Sequence, residues 1–372
     1  MNILQIITLS GLGGAQSMVI HLANEFSKQG HEICVVSSPG GRMWDSLDTN
    51  IIKKECQYFK REIDVVSDLK AIFMLRKVCN HFKPDIIHLH SSKAGAWGRI
   101  ALGKYKARII YTIHGFDTIL KANRILLPVE KILARRAKYI IPVCDYDCCS
   151  LNREGIYNTH TIKNAIPDLN DNTFEIDPFN EARRNRKKVV LSIARLSSQK
   201  KFAMFLEVAS LMKKEAVMFY WIGNQISVNS LPSNVRCLGE IPSASKLIKF
   251  ADIFVLFSNY EGLPISVIEA LSSSVPVVAS AVGGITEILK GDNGIAVKNL
   301  ADEAVSAIQY FLLDEDVMAY AKKAARLSYQ QEFTIDKMLQ SYMNIYRECL
   351  IGKSPESLST AAVEDGHRLD WR

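Results

Sequence analysis

With 372 residues, 48% of them apolar and 23% charged, the chain is long enough for two domains with their own cores, and its composition excludes disordered, collagen-like and coiled-coil classes. It holds no apolar run of eighteen residues, which argues against a transmembrane helix, and its start, MNILQIITLSGLGG, has no basic n-region and soon turns to glycine, so it reads as a first strand rather than a signal peptide. The net charge of +7 is uneven: residues 1–170 hold 23 Lys+Arg against 15 Asp+Glu, residues 171–372 hold 23 against 24, and the basic first half calls for an anionic partner, whether a phosphate-bearing substrate, an acidic membrane surface or nucleic acid.

From the N-terminus, strands alternate with helices. The first half gives NILQIIT, a helix over about 14–29 closed by Gly30, EICVVSS, a helix through 71–82, and then PDIIHLHS, ARIIYTIHG, KYIIPVCD and THTIKNAI, with helices between most of them. Short β-rich runs alternating with amphipathic helices predict parallel sheets covered on both faces. Polar residues, two prolines and a basic cluster interrupt the rhythm over 167–187, and 171–187 reads as a linker. Strands resume with KKVVLSIARL, VMFYWIG, VRCLGEI, DIFVLFSN, VPVVAS and NGIAV, three helical segments follow from about 302 to 350, and a polar tail ends the chain. The expected fold is α/β, with two facing, doubly wound Rossmann-like domains over 1–170 and 188–333, a final helix at 334–350, a tail at 351–372 and an inter-domain cleft. The eight cysteines form no C-x-x-C and read as small hydrophobes of a reduced, cytoplasmic chain; Cys144, Cys148 and Cys149 have no nearby histidine and read as packing rather than a metal site.

Several residues at predicted strand ends could carry chemistry. Gly11, Gly13 and Gly14 follow the first strand, where glycine lets backbone approach a ligand and the next helix offers free N–H groups to an anion. A tight turn with no ligand explains the same glycines, and the absence of both G-x-G-x-x-G spacing and an acid after the second strand counts against a nicotinamide enzyme. His88, His90, Lys93, His114 and Asp117 cluster at two further strand ends, as ligand groups or as packed and capping residues. Arg195 and Lys200 flank a βα turn in the second half, where a planar guanidinium and a compact ammonium can clamp a pyrophosphate; a solvated basic turn is the alternative. In EGLPISVIE, Pro264 suits the first helical position, Glu261 lies in the loop before it and Glu269 about a turn and a half inside. Two carboxylates with the amides of Gly262 and Leu263 between them suit a polyhydroxyl ligand such as a sugar joined to a nucleotide. A second turn, Gly283–Gly284, opens another helix, and Glu287 in its first turn complements that helix's dipole.

GLGGAQ, RLSSQK, EGLPISVIE and VGGITE, in this order and at these separations, resemble the retaining glycosyltransferases of family 4, which have the GT-B fold; the resemblance spans about 1–350. It implies that Glu269 bonds the ribose of a nucleotide-sugar donor and that Glu261, with the backbone of Gly262, Leu263 and Pro264, holds the transferred sugar. Arg195 and Lys200 would bind the diphosphate and stabilise it as leaving group, Gly13 and Gly14 would approach it from the other domain, and His114 would lie near the sugar. The final helix would cross back to the N-terminal domain. Where the family commonly has glycine after the motif lysine, this chain has Lys201, which bears on the local turn.

The same resemblance implies an α-linkage-forming hexosyltransferase using a UDP-linked sugar, an N-acetylhexosamine among the candidates. Its acceptor would be a polyprenyl-diphosphate-linked glycan of bacterial O-antigen, capsule or related polysaccharide. No D-x-D motif ends a strand, and neither a metal nor another cofactor is expected, since fixed cations and helix starts can stabilise the departing diphosphate. HSSKAGAWGRI is similar to the acceptor side of N-acetylgalactosaminyltransferases that act on lipid-diphosphate-linked sugars, which places Lys93 near an acceptor diphosphate; His90 and Asp117, at the same sheet edge, are acceptor-side candidates with it. KANRILLPVEKILARRAKY could lie on the inner face of the membrane or simply cover the sheet. A UDP-sugar 2-epimerase of similar architecture is the alternative reading. A nucleic-acid partner is not expected, because aromatics are not interleaved with the cations.

Overall fold

The computed structural model describes residues 1–122, 124–169 and 177–351. Its first half runs β1 (Asn2–Ile6), α1 (Gly14–Lys28), β2 (Glu32–Ser37), β3 (Ile52–Glu55), α2 (Val65–Phe82), β4 (Ile86–His90), α3 (Ser92–Ala101), β5 (Ile109–Ile113), α4 (Leu127–Ala134), β6 (Tyr139–Pro142) and α5 (Asp145–Arg153). The second runs α6 (Asn180–Arg184), β7 (Lys188–Ile193), α7 (Phe202–Leu211), β8 (Val217–Ile222), β9 (Val235–Cys237), β10 (Ile253–Leu256), α8 (Ile265–Ser272), β11 (Val277–Ser280), α9 (Ile285–Ile288), β12 (Gly294–Val297), α10 (Ala301–Leu312), α11 (Glu315–Glu332) and α12 (Ile335–Leu350).

The strands form two parallel six-stranded sheets, ordered β3-β2-β1-β4-β5-β6 and β12-β11-β10-β7-β8-β9. Central strands such as IIHLH and VMFYWI are buried along their whole length, as expected where helices cover both faces. On the first sheet, Ile3, Ile33, Ile86 and Ile110 face α1 and α12, while Leu4, Ile87, Leu89 and Tyr111 face α2, α3 and α4. In the second, α7 and α10 pack on Val190, Phe219 and Val255. Strand order reverses between β1 and β4 and between β7 and β10, and in such sheets ligands bind at these switch points, beyond the carboxyl ends of the strands.

The last helix is amphipathic. Its buried residues Met338, Leu339, Tyr342, Ile345 and Tyr346 fall on one stripe, and it lies against the first domain: Tyr139 donates to Glu348 at 2.7 Å.

Three expectations change. THTIKNAI is no strand: it follows β6 through two backbone bonds, His160 N to Ile140 O at 3.0 Å and Ile162 N to Pro142 O at 3.1 Å, and its Ile162, Ala165 and Ile166 are buried, so apolar pattern mimicked a ladder. The sixth strand of this sheet is instead β3, at the edge opposite β6, and its IKKE sequence hides it; charged side chains suit an exposed edge. Pro264 caps α8 rather than opening it. The linker is partly outside the described residues, and its 180–184 portion is helical; the tail beyond Ile351 lies outside them.

Candidate active site

The carboxyl ends of the two sheets meet. A Cβ on Gly262, after β10, would stand 3.0 Å from the Gly115 nitrogen and from the His114 carbonyl oxygen, after β5. A side chain there would press on backbone from the facing domain, so glycine favours the approach. At Gly14 the same construction reaches Ile265 of α8 at 3.5 Å, and Asn164 donates to the Leu263 carbonyl at 2.7 Å. The start of α1, the His114 turn and the EGLPI loop therefore share one cleft floor.

Glu261 is held from its own side. Ser258 donates to its Oε1 at 2.6 Å, and Lys200 forms a hydrogen-bonded ion pair with the same oxygen. The carboxylate is nearly closed off, at 8% exposure. The βα turn is tied to the Glu261 loop by two backbone bonds, Lys201 N to Phe257 O at 3.0 Å and Asn259 N to Gln199 O at 2.9 Å, and by the Gln199 side chain, whose Nε2 donates to Tyr260 O at 2.8 Å. Lys201 has φ −63°, so this turn needs no glycine and the departure from the family pattern is accommodated. Arg195 is exposed and has no hydrogen-bond or ionic partner among the described residues.

Glu269 sits inside α8. Its carboxyl keeps part of its surface open and has no partner among the described residues, while the protein around it desolvates it and pushes its pKa up to about 7. A hydroxyl-bearing ligand would supply the missing donors.

Behind His114 runs a stack of imidazoles. His90 and His114 are near-parallel, centroids 5.7 Å apart, with Nδ1 and Nε2 at 3.4 Å; His88 and His90 are 4.0 Å apart. His88 is fixed by the Tyr346 hydroxyl at 2.8 Å and Thr112 Oγ1 at 2.7 Å, and Thr112 bonds Tyr342 at 3.0 Å. Burial pushes His88 down to about 3 and His114 to about 4, and holds His90 well below its ordinary value. All three rings are thus neutral near pH 7.

The acceptor-side candidates have other partners. His90 has no exposed surface. Lys93 pairs with Asp68 of α2 at 2.8 Å, and Asp117 pairs with Lys121 at 2.6 Å while accepting from Tyr146 Oη. Among the described residues no group of three His, Cys, Asp or Glu is arranged to hold a metal ion.

Sequence reasoning missed what Glu287 does. Rather than serving its own short helix, it accepts from the Asp145 and Tyr146 amides at 3.0 and 2.6 Å, capping α5 across the interface. Its position in a VGGITE turn gave no sign of that distant partner. The turn is set by Gly283, whose φ is +53° and where a Cβ would fall 1.8 Å from the Glu261 carbonyl oxygen. Ser258 and Asn164 were also unmarked.

Two doubly wound domains that meet edge to edge, with a lysine–glutamate pair at one switch point and a glycine turn opposite, define a two-domain enzyme of the GT-B type. The sequence model described as Glycosyltransferase Family 4 matches residues 12–168, and that described as Glycosyl transferases group 1 matches residues 173–328. Together these cover most of the chain, which belongs to the family 4 glycosyltransferases. Among curated relatives, the O-antigen biosynthesis glycosyltransferase WbnH of Escherichia coli is 26% identical over 92% of this chain and 98% of its own. The UDP-Gal:alpha-D-GlcNAc-diphosphoundecaprenol alpha-1,3-galactosyltransferase of Escherichia coli is 24% identical over 92% and 95%. Among solved structures, Anabaena Alr3699/HepE in complex with UDP and glucose superposes with a TM-score of 0.79 over 93% of this chain and 99% of that one, at 19% identity.

Proposed function

We propose that this glycosyltransferase is a retaining enzyme that moves a sugar from a UDP-linked donor to a glycan on polyprenyl diphosphate, in the assembly of a bacterial surface polysaccharide such as O-antigen. The observation that carries this is the Lys200–Glu261 pair on the floor where Gly14 and His114–Gly115 meet the EGLPI loop. There the carboxylate can hold sugar hydroxyls while the ammonium faces a diphosphate. Arg195, without a partner, supplies a second cation. In the reaction the bond from C1 to the diphosphate oxygen breaks and a bond from C1 to the acceptor oxygen forms. The acceptor's proton leaves with the diphosphate. Negative charge grows on the leaving group, so fixed cations and the amides at the start of α1 favour the transition state over the bound donor. On this reading no metal is needed. The relative named for a diphosphoundecaprenol substrate supports the acceptor class.

The test is incubation with a panel of UDP-sugars and undecaprenyl-diphosphate-linked N-acetylhexosamine, with and without EDTA, followed by mass and anomeric analysis of the lipid product. An α-linked product that forms equally with EDTA is expected. A β-linked product would overturn the retaining assignment. An epimerised UDP-sugar formed without acceptor would mark a 2-epimerase instead.

A further inference from the structure

The column of imidazoles behind the cleft follows from the register of two strands. His88 and His90 are alternate residues of β4, His90 pairs with Thr112 of β5, and His114 comes two residues after Thr112, so all three rings fall on one side of the sheet. His88 is anchored through both nitrogens, Nδ1 to the Tyr346 hydroxyl of α12 and Nε2 to Thr112 Oγ1, and its ring centre lies 4.0 Å from that of His90. Just after His90 the chain turns through Ser91 at φ +64°, a left-handed conformation, and the Ser91 hydroxyl shares a 2.8 Å hydrogen bond with Thr8 Oγ1. His90 has no exposed surface. A ring on one side and a fixed turn behind it leave its side chain little freedom.

The protons of this column can be placed. Burial keeps the three rings neutral near pH 7, so each carries one N–H. His90 Nδ1 lies 3.4 Å from His114 Nε2. The other nitrogen of His90, Nε2, is sealed from solvent and has no partner among the described residues. A proton on Nε2 would bury a donor with nothing to bond. A proton on Nδ1 lies within the contact and leaves only a lone pair unmet. An orphaned buried N–H is the defect that folded chains avoid most, so Nδ1 holds the proton. His114 Nε2 then accepts, and His114 must carry its own proton on Nδ1. The two nitrogens of an imidazole point nearly opposite ways. With Nε2 turned inward to His90, Nδ1 turns out of the stack, where it has no partner among the described residues, and the His114 ring is only partly buried.

We propose that His90 is a positioning residue: by donating from Nδ1 to His114 Nε2 it fixes His114 as the Nδ1–H tautomer and aims that N–H at an oxygen of the transferred sugar. The target rests on the donor reading above, which puts the sugar where the His114–Gly115 turn meets the EGLPI loop. His114 cannot move its proton to Nε2 without losing the bond to His90, so the donor is set before the sugar arrives. Its neutrality also suits the reaction. Breaking the bond to the diphosphate leaves positive charge on the sugar, which an imidazolium would oppose and an uncharged N–H does not. Lys200 and Arg195 then serve the diphosphate, and the His90–His114 couple serves the sugar alone.

The experiment labels the full chain with nitrogen-15 in its eight histidines. Long-range nitrogen–proton spectra near pH 7 read which ring nitrogen is protonated, and the His114 signal is assigned by its loss in His114→Gln. The wild type should show His114 protonated on Nδ1. His90→Leu should shift His114 toward the Nε2–H form and weaken binding of UDP-N-acetylglucosamine or UDP-galactose, whichever the wild type prefers, by about tenfold. UDP, which has no sugar, should bind this variant as it binds wild type. His90→Asn, whose amide nitrogen falls where Nδ1 stood, should restore the tautomer and most of the affinity. Protonation of His114 on Nε2 in the wild type would overturn the proposal without recourse to any variant. Losses in His90→Asn as large as in His90→Leu, or an equal loss for UDP and UDP-sugar, would reduce His90 to packing and overturn it too. Nδ1 protonation in a chain that binds no UDP-sugar would sink the donor reading and the target of the N–H, and leave the His90–His114 bond standing.

Discussion

Lys200 is already bonded to Glu261 before any ligand arrives, and Ser258 completes the carboxylate's shell. The pair keeps each partner in place while the other waits. Lys200→Ala would leave a nearly buried carboxylate with one neutral donor, so folding stability should fall by about 1–3 kcal/mol, read by urea denaturation. Transfer should fall further, by about 10²–10³ in kcat, because the cation proposed to face the leaving group is lost. Glu261→Gln keeps the shape but not the charge; its loss should be comparable in kcat and smaller in stability.

Glu269 carries a stability penalty that a ligand can relieve. Its pKa is raised from 4.5 to about 7, so the folded state holds its proton more tightly than the unfolded one. That favours the fold below pH 4.5 relative to pH 8, and the advantage disappears as pH rises through about 7. Glu269→Gln should therefore raise the melting temperature at pH 8 and leave it unchanged near pH 4. If the carboxylate accepts ribose hydroxyls, binding of a UDP-sugar near pH 7 should release a proton. Calorimetry in buffers of different ionisation enthalpy reads that release, and the Gln variant should show none.

The histidine stack has the opposite sign. His88 and His114 titrate near 3 and 4 in the fold, against 6.5 when unfolded, and His90 is also lowered. Their contribution is fully present above pH 6.5 and is lost as pH falls toward 4, at about 1.4 kcal/mol per histidine per pH unit. Glu269 and Asp147, both raised to about 7 by burial, offset part of it. Tyr346→Phe, which strips the bond from His88 Nδ1, should cost about 1–3 kcal/mol at pH 7.5 and less at pH 5. Guanidinium melts at both pH values would show the difference.

Glu287 joins the domains by capping α5. Glu287→Ala removes an N-cap worth about 1 kcal/mol and loosens the apposition of the two sheets. Small-angle scattering should show a larger radius of gyration than wild type, and UDP should restore it in part.

Much of this was legible because the two periodicities differ: runs such as IIHLH and VMFYWI are too short and too apolar for anything but buried parallel strands, and the glycine turns mark their ends. Arg195, Lys200, Glu261 and Glu269 could be named because local spacing places them at one edge. The misses were non-local. Nothing near Glu287 signals an amide 142 residues away, and nothing in IIHLH reveals that His88 is fixed by Tyr346 and Thr112 while His90 stacks between His88 and His114. β3 escaped because an edge strand carries charge where a buried strand carries isoleucine.

Lys200 and Arg195, as the proposed cradle of a diphosphate, should distinguish UDP from uridine. Calorimetry on wild type should show UDP binding at least 10²-fold tighter than uridine, and in Arg195→Ala/Lys200→Ala the two ligands should bind nearly alike. A double variant that keeps the full preference for UDP would contradict that role.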